Sequence, residues 1–263
     1  MKPRLLATRA PDHASDLARQ AIAGGADLIL VLGGDGTINE AANGMLHSNV
    51  PLGVLPAGTA NVLAMELRLG SRPERAIPRL AVSVERRIAL GRLCDASGVS
   101  RHFLCMGGAG LDAKIVHDLD SSLKARAGKL AYWVTGLSQI ASRVAQFDAR
   151  VNGSTYHCGF ALTSRVRNYG GGLEIAGGAS LLSGDFEIVL FEGSNPLRYA
   201  WYMLGVAVKR VQSMAGVHTL RGTCVEFSGD AHMQIDGERA GRLPARLEIV
   251  PDALTILAPP AYH

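Results

Sequence analysis

The chain is expected to be an α/β plus β protein: an N-terminal domain built on a parallel sheet, followed by a β-sandwich domain. Three observations predict this. The first third alternates short apolar strands with helical segments, a pattern that implies parallel pairing. After about Val82 the chain breaks into short β-rich segments separated by Gly, Asn, Asp and Pro, as in an antiparallel sandwich. A composition that is 48% hydrophobic and 19% charged over 263 residues carries enough apolar material for folded cores and argues against disorder.

Taken in order, Ala14 to Ala23 reads as a helix, Asp27 to Leu32 as a buried strand and Ile38 to Leu46 as a second helix. A short strand, Pro51 to Leu55, and a third helix, Asn61 to Leu67, follow. Strands that precede helices at this spacing collect their C-terminal loops on one side, where an α/β sheet holds its ligand. The β-rich half comprises ERRIALGRLCDA, RHFLCMGGAG, FDARVNGSTYHCGFALTS, GDFEIVLFEG, CVEFSGDAHMQIDGE and ARLEIVPDALTILAP. Helices over Ser122 to Gln146 and Pro196 to Met214 interrupt it. The domains are therefore set at 1–85 and 86–263.

The net charge of +4 permits attraction to anionic partners without selecting one, and no nucleic-acid partner is expected. The cysteines, Cys94, Cys105, Cys158 and Cys224, form neither a CxxC nor a zinc-type spacing, which fits a reduced, cytoplasmic compartment. The N-terminus lacks the apolar stretch of a signal peptide. The longest apolar run, YAWYMLGVAV from Tyr199, is far short of the ~20 residues a spanning helix needs.

In LILVLGGDGTINEAANGM, from Leu28, a buried-strand run breaks at Gly33, Gly34, Asp35 and Gly36 before a helix opens near Thr37. Glycines there let the main chain approach a ligand, and free N–H groups at a helix start attract anions. A carboxylate beside a phosphate cradle is explained if it orients a magnesium ion or its water. Gly-Asp-Gly is also ordinary turn chemistry. PLGVLPAGTANVLAMEL, from Pro51, repeats the strand, turn and helix; Thr59 and Asn61 there could cap a helix or bond a nucleotide. Later, Asp236 and Gly237 in MQIDGERAG are a strong hairpin signal.

GGDGTINE, PLGVLPAGTANVLAMEL and MQIDGERAG, in this order and spacing, resemble the diacylglycerol kinase catalytic-domain family, which includes bacterial lipid kinases and the sphingosine and ceramide kinases. The match runs from about Thr8 to Pro259. The resemblance implies an N-terminal ATP-binding domain, a C-terminal lipid-binding domain, an active site in the cleft between them, and transfer of the γ-phosphate to a lipid hydroxyl. ATP and Mg2+ are the implied cofactors. Gly33, Gly34, Asp35, Gly36, Thr37 and Asn39 would contact phosphates, Thr59 and Thr8 would line the nucleotide site, and Asp236 would be the general base. The lipid would be met at a membrane surface by peripheral association. The alternatives are a nucleotide kinase of the NAD kinase type and a catalytically impaired nucleotide- or lipid-binding protein.

Two departures from the family pattern stand out. An Asn-Pro-x-Ser-Gly loop and its strand usually precede GGDGT, and neither is visible upstream of Gly33. Their absence would leave a sheet edge open and invite self-association, as a homodimer for example. In GGASLLSGDFEIVLF, Ser183 stands where relatives carry the aspartate of a structural magnesium site, with Asp185 and Glu187 displaced, so no metal ligand is assigned.

Overall fold

The computed structural model of the protein describes residues 3–111, 113, 144–170 and 172–262. The chain folds as two compact units, Met1–Ile88 together with Asp252–His263, and Ala89–Pro251. The expected boundary gave every residue after position 85 to the second domain. The final segment instead belongs to the first unit, because its strand extends the parallel sheet.

In the first unit, α1 (His13–Ala23), β1 (Ile29–Gly33), α2 (Asp35–Gly44), β2 (Leu52–Pro56) and α3 (Val62–Glu66) follow the expected alternation. β1 and β2 run parallel, with Val31 opposite Val54 and Gly33 opposite Pro56. The end of β16 (Ala245–Ala258) lies parallel to β2 on its other side, with Ile256 opposite Leu52. β2 is therefore the inner strand, and Leu52 and Val54 are buried. β1 ends the order, and only Val31 is buried in it. Leu30 and Leu32 remain 52% and 60% exposed, so the expectation of a fully buried strand holds for one face alone. Ile38, Ala41 and Ala42 of α2 are buried where it packs on α1 and β1.

α4 (Pro73–Leu80) has no counterpart in the sequence reading. Two prolines hid it: Pro73 opens the first turn, where no N–H is needed, while Pro78 removes one internal bond. The returning C-terminus is tied down by polar contacts. Arg87 donates to the Ser48 and Asp252 carbonyls and to Thr255 Oγ1, the His47 N–H donates to the Ala253 carbonyl at 2.8 Å, and the Tyr262 hydroxyl lies 3.1 Å from Glu66 Oε1.

The second unit is an antiparallel sandwich. One sheet orders β12 (Val217–Gly222), β11 (Phe186–Phe191), β8 (Phe160–Ser164), β5 (Met106–Gly110), β14 (His232–Ile235) and β15 (Glu238–Arg242). The other contains β7 (Ser154–Cys158), β6 (Phe147–Val151), β13 (Cys224–Gly229) and the start of β16, with β3 (Val84–Asp95) paired to β4 (Ser100–Phe103). A small ribbon joins β9 (Asn168–Gly170) to β10 (Leu173–Glu174). Period-two alternation sends Phe103, Phe147, Phe186, Ile188, Phe227, Met233 and Leu247 into a common core. Phe103 stacks on Phe186 at 5.8 Å, and Phe147 meets Phe227 edge-on at 5.9 Å.

The helix expected over Pro196 to Met214 is shorter, α5 (Pro196–Ala207), followed by a 3-10 turn at Val211–Ser213. The helix expected over 122–146 lies outside the described residues except at 144–146, which are irregular and lead into β6.

Candidate functional site

The turn after β1 is tighter than the sequence suggests. Gly33 is the last strand residue, Gly34 is the extended N-cap of α2, and Asp35 is already helical. Gly36 and Thr37 therefore occupy the first helical turn, whose N–H groups have no internal acceptor. No side chain caps this end, although the Ile38 N–H reaches the Gly34 carbonyl at 3.1 Å. The result is a ten-residue helix that presents backbone donors and the positive end of its dipole.

The second turn is fastened to the first. The Ala57 N–H donates to the Gly33 carbonyl at 2.9 Å. A Cβ on Gly58 would stand 2.6 Å from Gly34 Cα, and one on Gly34 would stand 3.3 Å from Gly58 Cα. Only paired glycines allow these backbones to touch. Asn61 shapes the loop from within: its Oδ1 accepts the Gly58 N–H and its Nδ2 donates to the Gly58 carbonyl, each at 2.8 Å. Asn61 is 2% exposed, so its amide is a staple inside the loop and neither caps α3 nor faces outward. Thr59, beside it, is exposed.

Asp35 provides what Asn61 does not. Its carboxylate faces the backbone N–H groups of Asn61, Val62 and Leu63, with the Leu63 N–H 3.4 Å from Oδ1. It thus caps α3 from the neighbouring helix. Burial holds its pKa above the usual aspartate value, against the opposing pull of those N–H groups. Asn39 is half-buried on α2 and accepts from Asn43 Nδ2 through its carbonyl at 2.8 Å and Oδ1 at 3.2 Å. Thr8 lies exposed in an irregular stretch before α1, and no hydrogen bond joins it to either turn among the described residues. The structure therefore draws Gly33 through Thr37 together with Gly58 and Thr59, and leaves Thr8 unattached. Gly58 was legible only as part of PAGTAN, because its need to be glycine comes from a residue 24 positions away.

Asp236 occupies the expected hairpin between β14 and β15. Asp236 and Gly237 have φ of 47° and 79°, the left-handed pair that a two-residue hairpin requires. The carboxylate reaches across to β5 and the loop before it. Oδ2 accepts the Leu104 N–H at 2.7 Å, and Oδ1 accepts those of Cys105 and Met106 at 2.9 Å each. The Asp236 N–H in turn donates to the Met106 carbonyl at 2.8 Å. Asp236 is a pin between two segments of the sandwich, a duty the sequence did not reveal.

The acidic pair near β11 is occupied by a guanidinium. Arg221 donates from Nε and Nη2 to Asp185, from Nη1 to the Gly178 carbonyl at 2.8 Å, and lies 3.6 Å from Glu187 Oε2. Glu187 also accepts from Gln212 Nε2 at 2.8 Å, and burial raises its pKa above the usual value even with Arg221 beside it. A protein-bound structural cation does not fit here, because Arg221 already supplies the positive charge. Among the described residues, no group of three or more His, Cys, Asp or Glu could hold a metal ion.

Residues 1–93 match the model of the diacylglycerol kinase catalytic domain. Residues 106–258 match that of the YegS C-terminal NAD kinase beta sandwich-like domain. The chain is 28% identical over 253 residues to a diacylglycerol kinase of Mycobacterium tuberculosis, covering 94% of this chain and 81% of the relative. It is 28% identical over 246 residues to one of Bacillus subtilis, covering 90% and 80%. In fold it resembles a crystal structure of a diacylglycerol kinase from Bacillus anthracis, with a TM-score of 0.75 at 21% identity, covering 97% of this chain and 85% of that one.

Proposed function

Because the chain belongs to the diacylglycerol kinase catalytic-domain family, with its catalytic domain followed by the YegS-type sandwich, we propose that it is an ATP-dependent lipid kinase, a phosphotransferase with an alcohol acceptor. The observation that carries this reading is the joined pair of turns, Gly34 against Gly58, at the start of α2. Glycines bring backbone N–H groups within reach of a polyphosphate, and the helix dipole favours the anion. The residues present fit such a group: no side chain caps α2, no Cβ fills the contact, and Thr59 is exposed beside it. Gly34, Asp35, Gly36 and Thr37 would hold phosphate through the main chain, and Thr59 through its hydroxyl.

When bound, ATP supplies the phosphoryl group and Mg2+ spreads its developing charge. Asp35 is engaged in capping α3, so this chain would contribute backbone donors there in place of a carboxylate cage. Asp236 is assigned the proton of the acceptor hydroxyl on the strength of the IDGE match, in addition to its pinning of residues 104–106. The acceptor is a lipid with a free hydroxyl, of diacylglycerol or sphingoid type.

Incubation with labelled ATP, Mg2+ and a panel of such lipids in mixed micelles tests the reading, with NAD in plain buffer as a parallel arm. Label in a lipid product is the expected result. Label in NAD alone would reassign the protein as a nucleotide kinase, and label in neither would leave it a binding protein.

A further inference from the structure

α5 presents an apolar face to water. Helices of folded proteins ordinarily expose polar residues on the side away from the core. Here the outward side carries Leu197, Trp201, Leu204 and Val208, which are 78%, 63%, 53% and 57% exposed. Their spacing of four, three and four residues sets them in one stripe along the helix. The opposite side is firmly seated. Tyr199 and Tyr202 are buried, Tyr199 Oη donates to the Phe191 carbonyl at 3.1 Å, and Tyr202 Oη lies 3.2 Å from the Gly216 carbonyl. The structure divides the aromatic residues of this helix: the tyrosines are core, and the tryptophan is surface.

The helix and the turn after it carry charge of one sign. From Pro196 to Ser213 there is no acidic residue, while Arg198, Lys209 and Arg210 are all basic. Arg198 sits over the Tyr202 ring at 5.7 Å, Lys209 pairs with Glu174 at 3.0 Å, and Arg210 is exposed just past the helix end. A rigid apolar stripe with a tryptophan and a basic end is the pattern of a helix that lies in a bilayer interface and meets anionic head groups.

We propose that α5 docks the protein on an anionic lipid bilayer, burying Leu197, Trp201, Leu204 and Val208 at the level of the acyl chains, with Arg210 at the lipid phosphates. The inference rests on the lipid-kinase reading and extends it to how the enzyme reaches a substrate that never leaves the membrane.

The test uses vesicles of phosphatidylglycerol and phosphatidylcholine, with phosphatidylcholine alone as control. In a Trp133→Phe background Trp201 is the single tryptophan, and its emission should shift to the blue on anionic vesicles and be quenched by brominated acyl chains. Leu204→Glu should lower vesicle partitioning by about tenfold or more, since a charge replaces a buried apolar group. Arg210→Gln should lower it about fivefold on anionic vesicles only. Phosphorylation of lipid in vesicles should fall with binding in Leu204→Glu, while turnover in detergent micelles stays at the parent level. Unchanged partitioning and emission in the variants would overturn the docking surface even where micellar kinase activity is present. Loss of a dimer in Leu204→Glu, with vesicle binding intact, would overturn it in favour of a second copy on this face. An absence of micellar activity in the parent protein would instead count against the kinase reading.

Discussion

At the residue scale, two aspartates show how a motif letter can carry more than one duty. Asp236 was legible as a hairpin residue and, by resemblance, as a base, but not as the acceptor of three N–H groups contributed by residues 130 positions and more away. Asp236→Asn keeps the left-handed backbone but turns an NH2 toward one of those donors. It should therefore destabilise the second unit by about 1–3 kcal/mol, the cost of a buried donor left unmatched. The loss in turnover should be larger, about 10²–10⁴-fold if the carboxylate takes the proton, with ATP affinity unchanged at temperatures where the variant is folded. A turnover loss that disappears below the melting transition would leave Asp236 a pin alone. For Asp35 the argument runs through burial. Its folded pKa is raised above 3.8, so the folded state binds the proton more tightly than the unfolded chain does. The stability this contributes is present at low pH and is lost as pH rises through the folded value. Asp35→Asn should thus lie within about 1 kcal/mol of the parent at pH 7, because its carbonyl still accepts from α3. The parent should gain on the variant as pH falls toward 4, and urea titrations at both ends of that range check the sign.

At the element scale, the joined turns explain which parts of the site could be read in advance. GGDGT and PAGTAN each announce a strand, a turn and a helix through their own residues, and both appear within a few positions of where they were expected. Their mutual contact involves residues 24 apart and has no local signature. The same holds for capping: Glu40 Oε2 accepts the Ala14 N–H at the start of α1 at 3.2 Å, much as Asp35 serves α3. The starts of α1 and α3 are thus both served by side chains of α2. Gly58→Ala should force the turns apart, because its Cβ would fall 2.6 Å from Gly34 Cα and 3.1 Å from Asn61 Oδ1. A stability loss of about 1–3 kcal/mol is expected, together with weaker ATP binding by calorimetry. Thr59→Ala, at an exposed position, should weaken nucleotide binding without moving the melting temperature.

At the scale of the whole molecule, the two-part architecture was legible because strand periodicity and helix periodicity differ, and the change of pattern after Val82 is visible by eye. The return of the C-terminus to the first unit was not. ARLEIVPDALTILAP reads as one more strand of the sandwich, and nothing in its letters says that Ile256 pairs with Leu52. Deletion of residues 252–263 should therefore unfold the first unit and abolish ATP binding, while the sandwich keeps its cooperative transition in calorimetry. The same closure orders events during synthesis. The first 88 residues emerge early, yet the partner of β2's free edge is translated only after the whole of Ala89–Pro251. Contacts that close so long a loop form late. A ribosome still holding residues 252–258 should thus carry a finished sandwich and an open first unit. On stalled nascent chains, protease resistance should reach Ala89–Pro251 first and Met1–Ile88 only once residue 258 has cleared the exit tunnel. The phosphate site proposed for the kinase would then form only after the sandwich, and a chain halted before residue 252 would have no means of sequestering ATP.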